Sequence, residues 1–515
     1  AAEGTISIKP NIISITPKQG TVGSLVTVRG NGYGAGTIVK IDFGTTLTIQ
    51  ASSTYEEGSF TTTFTVDTQP YGITTIKARG DESASGTYTI LPNIILITPG
   101  EGTLGTIVTV RGNGFTASKT IRIDFGTIGT IQLTSSYGEG SFTTTFTVDT
   151  QPYGITTVKA TDSDNVNASG TFTIKPVIIS VVPATGTVGE VITIRGTGYH
   201  SQERLRIDFG TSRTIQMTSS DVEGSFTTTF TINTQPYGIT TITVYGTEGI
   251  SSCGTLTILP KIILISPGEG TVGKVISIRG NGFNASEQVR LAFGTTRTIQ
   301  LTSTDAEGSW TTTWTIDTQP YGTTSIRAYG ANIDAEGTLT ILPAIIVISP
   351  KEGTVGSIVS VAGNGYSARE LVHIIFGTCG TITMTSSDGI GSFSTTFTVN
   401  TQSLGTTTII AVGMISGMPV LEWEYKIVPK LVYVTPDRGT VGTIVTLQGS
   451  GYLSNEEVRI GFGRTQTITT TFATPEGSFT TTFTIDTQPY GSTTIIAEGV
   501  SSRGSAQNLS VLILS

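Results

Sequence analysis

The chain repeats itself. The tetrapeptide Gly-Thr-Val-Gly, once Gly-Thr-Leu-Gly, begins at Gly20, Gly102, Gly186, Gly270, Gly353 and Gly439, at intervals of 82, 84, 84, 83 and 86 residues. A proline stands ten residues before each copy: Pro10, Pro92, Pro176, Pro260, Pro343 and Pro429. Six near-copies in tandem point to an array of small domains rather than one large fold. A unit of about 84 residues can bury a core without metal or disulfide help. The expected domains are residues 10–91, 92–175, 176–259, 260–342, 343–428 and 429–515, preceded by an orphan terminal strand in residues 1–9.

Each repeat reads as short strands. In repeat 2 these are Asn93–Thr98, Ile107–Arg111, Ile121–Phe125, Thr130–Thr134, Ser141–Val148, Thr156–Ala160 and Thr171–Ile174. Ser141–Val148 is the clearest: Phe142, Thr144, Phe146 and Val148 share one face, and Thr143, Thr145 and Thr147 share the other. Period two marks a half-buried strand. Pro99-Gly100-Glu101-Gly102 and Gln151-Pro152-Tyr153-Gly154 read as turns. Seven short strands without an amphipathic helix predict an all-β fold of six tandem immunoglobulin-like β-sandwich domains, arranged as a rod. The tyrosine of the second turn recurs as Tyr71, Tyr153, Tyr237, Tyr321 and Tyr490. It reads either as a tyrosine corner, pinning the turn by its hydroxyl, or as a plain turn aromatic.

The run from Pro92 through Ile-Ile-Leu-Ile-Thr-Pro-Gly-Glu-Gly-Thr-Leu-Gly-Thr-Ile-Val-Thr-Val-Arg-Gly-Asn-Gly-Phe115, followed by Ile121-Arg-Ile-Asp-Phe-Gly126, resembles the IPT/TIG group of immunoglobulin-like domains. All six copies share its elements, although a second Gly usual beside the turn Gly is missing at Val22-Gly23-Ser24. The resemblance implies large exported prokaryotic surface proteins, in which such domains serve as spacers, adhesin stalks, surface-layer building blocks or non-catalytic modules of carbohydrate-active enzymes. It specifies a fold well and a function poorly.

Charge narrows the partners. Only 13% of residues are charged and the net charge is −8. Nucleic-acid binding needs a basic stripe, and anionic membranes attract basic segments, so neither partner is expected. Outward Thr rows suit a chain lying against copies of itself, because few charges need desolvation. Cys253 and Cys379 fall in different repeats and imply no disulfide framework. No run of about 20 apolar residues predicts a membrane span, and no signal peptide is visible. The start Ala1-Ala2-Glu3 reads as a processed terminus or a fragment.

Junctions have almost no spare chain: Thr89-Ile90-Leu91-Pro92-Asn93 passes from one repeat into the next. Pro fixes φ and restricts the residue before it, so the junction should be stiff. Six such units would span on the order of 200 Å. Gly4-Thr5-Ile6-Ser7-Ile8-Lys9-Pro10 matches Gly170–Pro176, the last strand of repeat 2 with its proline. Three explanations stand: a cut within a longer array, a strand added to a neighbouring subunit's sheet edge, or local pairing in repeat 1. Thr5, Ile6 and Ile8 are therefore assembly candidates. Trp423 is another, in a long apolar stretch (Met414–Tyr425) of the atypical repeat 5, where Gln402-Ser403-Leu404-Gly405 replaces Gln-Pro-Tyr-Gly. Drift in a weakly constrained unit is the plainer explanation of that stretch.

Catalytic chemistry is not indicated. His200 and His373 stand alone in different repeats, with no ligand spacing for zinc and no triad partner. Asp42, Asp124 and Asp208 recur on outward positions and are expected to pair with Arg or Lys across strands. Calcium is the one cofactor considered, at Asp162, Asp164 and Asn165, although the loop lacks the Gly and distal Glu of an EF-hand. Asn167, Asn284 and Asn508 head glycosylation acceptor triplets. The leading expectation is a non-enzymatic structural protein of the cell surface or extracellular space, partnered by copies of itself in a surface layer, sheath or filament. The rivals are an adhesin or carbohydrate-binding stalk, with glycans as partners, and an accessory portion of an enzyme. Trp310 and Trp314 do not serve the glycan reading, because they replace inward Phe residues.

Overall fold

The computed structural model describes Gly4 and residues 6–514. In repeat 1 the chain forms β1 (Asn11–Thr16), β2 (Gln19–Gly20), β3 (Leu25–Asn31), β4 (Ile38–Phe43), β5 (Thr46–Ser53), β6 (Phe60–Thr65), β7 (Gly72–Arg79) and β8 (Ser83–Ile90). They make a three-stranded sheet in the order β1-β3-β6 and a five-stranded sheet in the order β2-β8-β7-β4-β5. The same two sheets recur in every repeat. All six units are thus immunoglobulin-like sandwiches.

The alternation read from sequence is the one that builds the core. On β6, Phe60, Thr62 and Phe64 are buried while Thr61, Thr63 and Thr65 are exposed. Six hydrophobic clusters result, and the fully buried residues of each come from a single repeat. Within each core, the Phe that ends β4 or its counterpart packs on the second aromatic of β6 or its counterpart, which is Trp314 in repeat 4; Phe43 lies 5.2 Å from Phe64, centroid to centroid.

One reading needs correction. The count is eight strands, not seven. Glu101-Gly102 of repeat 2, read as turn, is a two-residue strand running parallel to Thr173–Ile174. The chain leaves one sheet at Pro99 and joins the other within three residues, so each repeat's first strand is split between its sheets. A two-residue ladder has no periodicity to read. Residues 6–10 form no ladder, and Ile6 and Ile8 are exposed. The place that their match takes in repeat 2 is filled in repeat 1 by its own β8, paired with β2 and β7. Thr5 lies outside the described residues.

The chain divides into two compact units, Ala1–Asn233 with Ile239–Ile258, and Thr234–Gly238 with Leu259–Ser515. The junctions between repeats 1, 2 and 3 are internal to the first. Those between repeats 4, 5 and 6 are internal to the second.

Candidate functional site: the junctions between repeats

The loop Thr68-Gln69-Pro70-Tyr71-Gly72, between β6 and β7, gives each residue a task. Gln69 is buried and tied to its own repeat: its Nε2 donates to Phe43 O (3.4 Å) and Thr45 Oγ1 (3.2 Å). That anchor presents the next residues outward. Thr68 Oγ1 accepts from Asn113 Nδ2 of repeat 2 at 3.2 Å. Tyr71 N–H donates to Phe115 O at 3.0 Å. Pro70 lies against Gly140, where an added Cβ would come within 2.7 Å of Pro70 Cα. The loop after β6 of one repeat therefore seats on the Gly-x-Gly-aromatic end of the next.

The other internal junctions repeat this geometry. Tyr153 N–H donates to Tyr199 O at 2.8 Å and Tyr321 N–H to Tyr366 O at 2.9 Å. Asn364 Nδ2 donates to Thr318 Oγ1 at 3.1 Å. Repeat 5 keeps the arrangement despite its altered sequence: Leu404 N–H donates to Tyr452 O at 2.9 Å, and Ser403, in place of Pro, accepts from Ser454 N–H at 3.1 Å. Each net hydrogen bond is worth about 0.5–1.5 kcal/mol. Their main effect is orientation, because the proline linker already holds the two faces together at high effective concentration.

The turn tyrosine is thus a junction residue. Tyr71 and Tyr321 are exposed at their rings, and Tyr153 stacks edge-on against His200, 4.9 Å between centroids. The corner-like role falls to the aromatic after Gly-x-Gly. Tyr33, Tyr199, Tyr366 and Tyr452 are buried, and their hydroxyls donate to Ala78 O (3.2 Å), Val244 O (3.3 Å), Ala411 O (2.9 Å) and Ala497 O (3.1 Å). Burial pushes the phenol of Tyr199 up to about 12 and raises that of Tyr366 further. The signal is present in sequence as the aromatic that follows the Gly-x-Gly after β3 and its counterparts in all six repeats, a Tyr in four of them.

Behind the Gly-x-Gly-aromatic end of each repeat sits a carboxylate that sequence reasoning missed, buried in repeats 2, 3, 5 and 6, half-buried in repeat 4 and exposed in repeat 1. In repeats 3 to 6 it stands four residues after that aromatic: Glu203, Glu287, Glu370 and Glu456. Glu370 accepts from Ser367 N–H (2.6 Å) in its own loop, and from Ile415 N–H (2.6 Å) and Ser416 N–H (3.0 Å) in the loop after β7's counterpart. Glu203 and Glu456 bridge the same loops. In repeats 1 and 2 that position is Thr37 or Lys119, and the carboxylate comes from the opposite loop as Asp81 or Asp162. Burial raises the Glu370 carboxyl, but hydrogen bonds from Ser416, Ile415 and Ser367 outweigh it and leave the group below the ordinary 4.5. A depressed folded value means that the clamp's stabilisation is complete above about pH 4.5 and is lost as pH falls through the folded value. Glu370→Gln is expected to cost about 1–3 kcal/mol, since an amide group would face N–H donors. Repeat 5 should then lose part of its acid sensitivity, read as a flatter profile of melting temperature against pH below 4.5.

The candidate ligands are distributed as follows. Asp162 accepts from Thr116, Asp164 and Val166 N–H groups at 2.9–3.0 Å, so its oxygens serve the loop. Asp164 pairs with Lys119 at 3.1 Å, and Asn165 sits at φ 64°. Among the described residues no group of three or more His, Cys, Asp or Glu side chains is arranged to hold a metal ion. Asn167 is exposed at the start of a strand. Asn284 Nδ2 donates to Glu287 (3.0 Å), and Asn508 bridges to Leu431 in both directions (3.0 and 3.1 Å). Trp423 does not project: its Nε1 donates to Ile345 O at 3.0 Å and its ring packs on the core of its own repeat. The exposed apolar residues of that stretch are Met414, Ile415, Met418, Val420 and Leu421. His200 lies 3.9 Å from Glu248, and His373 meets Thr381 Oγ1 at 3.1 Å.

The recurrent carboxylates are only partly as expected. Asp42 pairs across strands with Arg79, whose hydrogen bond holds the carboxyl below its usual value. Asp124 and Asp208 instead pair with Arg122 and Arg206, two residues earlier on the same strand. All three accept the N–H of a threonine held at positive φ: Thr48, Thr130 and Thr214. A β-branched residue is strained there, and the Asp supplies the compensating bond.

Fold and junctions define a tandem immunoglobulin-like repeat protein. No known protein-family profile matches the chain. The chain is 27% identical to fibrocystin-L of Homo sapiens in an alignment 309 residues long that covers 53% of this chain and 7% of that protein's length. Similar solved structures include the eight N-terminal Ig domains of Down syndrome cell adhesion molecule, at 13% identity over 100% of this chain and 74% of that one, with a TM-score of 0.18. A tetra-tandem repeat from the extending region of a large adhesion protein is 15% identical over 64% of this chain and 98% of that one, with a TM-score of 0.18. Invasin, a bacterial integrin-binding protein, is 13% identical over 66% of this chain and 80% of its own, with a TM-score of 0.19.

Proposed function

We propose that this chain is a non-catalytic structural protein of the cell surface or extracellular space, built of IPT/TIG-like repeats, that assembles with copies of itself into a surface layer, sheath or filament. The observation that carries this reading is the junction. Four times over, the loop after β6 or its counterpart gives a backbone donor to the next repeat, with the chain crossing at a single proline. A scaffold needs a fixed relation between neighbouring units, and such contacts supply one.

The outer faces support the same reading. Thr61, Thr63 and Thr65 and their counterparts Thr143, Thr145 and Thr147 present hydroxyls and no charge. Apart from Arg29 and Arg111, exposed on the adjoining strand opposite Thr61 and Thr143, such a face can meet a copy of itself without the desolvation cost of ions. No helix among the described residues is long and apolar enough to cross a membrane. Calcium and sugars are not needed by this reading, although an exposed Asn167 would accept a glycan without disturbing the core.

Electron microscopy of the purified chain, with and without millimolar calcium, tests the proposal. Ordered polymers or sheets are expected. A monodisperse particle that binds a glycan would instead favour the adhesin, for which Phe472 and Tyr490, exposed on different elements of repeat 6, are the first residues to replace.

A further inference from the structure

Repeat 5 differs from the others on the outer face of its five-stranded sheet. In Leu371–Phe376, the counterpart of β4, Val372, Ile374 and Phe376 are buried, so Leu371, His373 and Ile375 face outward. The ladder sets Ile375 opposite Ile410, and His373 between Val412 and Met384. Every other repeat has Lys or Arg in the place of His373: Lys40, Arg122, Arg206, Arg290 and Arg459. Where Ile375 meets Ile410, repeats 1 and 2 oppose Asp42 to Lys77 and Asp124 to Lys159. The charged middle of the sheet is thus apolar in one repeat, which lies between repeats 4 and 6 in the chain.

The apolar face continues into the stretch that follows Gly405–Gly413, the counterpart of β7. Met414 N–H donates to Leu371 O at 3.0 Å, and Glu370 accepts from Ile415 and Ser416 N–H, so the stretch is fixed against the sheet. Leu371, Met384, Met414 and Ile415 are 41%, 56%, 66% and 71% exposed. With the half-buried Ile375, Ile410 and Val412 they offer about 500 Å² of apolar surface, within the range of the largest patches on ordinary monomers. Polar groups border it on the same sheet: Thr408 stands opposite Glu424, and Lys426 pairs with Glu352 at 3.3 Å.

We propose that this face of repeat 5 docks against the same face of a second copy of this chain. The interface is isologous, so it closes as a dimer that joins two chains at repeat 5. Two observations select a second copy as the occupant. The first is area: each partner of a standard interface buries about 800 Å², of which about 65% is apolar in homodimers. The patch supplies that apolar share, and the Thr and Glu-Lys border supplies a polar rim. The second is charge. The Arg and Asp side chains on the matching faces of repeats 2 and 3 must each find an opposite charge across any contact. The middle of the repeat 5 face carries no Arg, Lys, Asp or Glu, so it sets no like charges against each other when it meets itself. The inference deepens the assembly reading and rests on it for the choice of partner.

Sedimentation of the full chain between about 1 and 100 μM is the test, and a monomer–dimer equilibrium is expected. Ile375→Asp with Ile410→Lys writes into repeat 5 the cross-strand pair that repeats 1 and 2 hold at the same register, so the fold should stand. Met384→Glu alters a side chain that already meets solvent, and so probes the same face without touching the core. Each variant should weaken dimerisation by about tenfold or more at an unchanged melting temperature. Met217→Glu, the matching change in repeat 3, should leave it as it was. A parent that stays monomeric throughout that range would overturn the proposal and leave the face to a partner of another kind. Folded variants that dimerise like the parent would overturn it too. Layers or filaments seen by microscopy, with dimerisation indifferent to Met384→Glu, would leave the assembly reading standing and remove this interface. Dimers that respond to Met384→Glu and grow no further would keep this interface and rule out a surface layer.

Discussion

Phe376→Ala is expected to melt repeat 5 well ahead of its neighbours. Phe376 is fully buried, with its ring 5.0 Å from Phe397 and 5.6 Å from Tyr425. Removing a buried Phe ring costs about 3–5 kcal/mol, from lost transfer energy and the cavity left behind. A domain of this size has at most the lower part of the usual 5–15 kcal/mol to lose. The core that Phe376 serves draws its buried residues from repeat 5 alone. Calorimetry should therefore show one transition displaced to low temperature, and hydrogen exchange should quicken for Val361, Ile374 and Ala411 but not for the cores of repeats 4 and 6. A uniform shift of the whole melting profile would mean that the repeats unfold together and that the cores are not independent.

The second large effect belongs to a junction. Gly114 has φ +74°, and a Cβ there would lie 2.4 Å from Leu91 O, at the last residue of repeat 1. Gly114→Val should force the linker carbonyl away and break the seating of Tyr71 on Phe115. Gly105 is the control. Its φ is +84°, but nothing lies within 4 Å of the added Cβ. Gly105→Val carries the left-handed strain, about 1–2 kcal/mol, without the clash. Exchange of the Tyr71 N–H should rise at least tenfold in the Gly114 variant and stay near parental in the Gly105 variant. Equal exchange in both would show that the proline alone, and not the close backbone approach, orders the junction.

Much of the fold was legible because its causes are local. Asn93–Thr98 was delimited to the residue as a strand, since an Ile-rich run ends at Pro99. The strand around Phe142–Thr147 was assigned its faces, since alternation is a property of neighbours in sequence. The candidate sites fared differently. Asp162 has the composition of a cation ligand, but its oxygens are spent on Thr116, Asp164 and Val166 N–H groups, and Thr116 is 46 residues away. Trp423 has the composition of an exposed contact, but Ile345 O, 78 residues earlier, draws it inward. The carboxylate clamp was hidden because it changes sides, from Glu203, Glu287, Glu370 and Glu456 to Asp81 and Asp162.

The sequence by itself determined the number of repeats, their sandwich class and which side chains face inward. Repetition, proline spacing and period-two alternation are read along the chain, and each constrains only residues near one another. Tertiary structure alone decided how the first strand splits between sheets and which aromatic is pinned by its hydroxyl. It also decided that Thr-Gln-Pro-Tyr-Gly faces the next repeat rather than its own core. Those outcomes depend on which loops arrive at the same place from about 45 residues apart, where a backbone N–H must find a carbonyl once water is excluded.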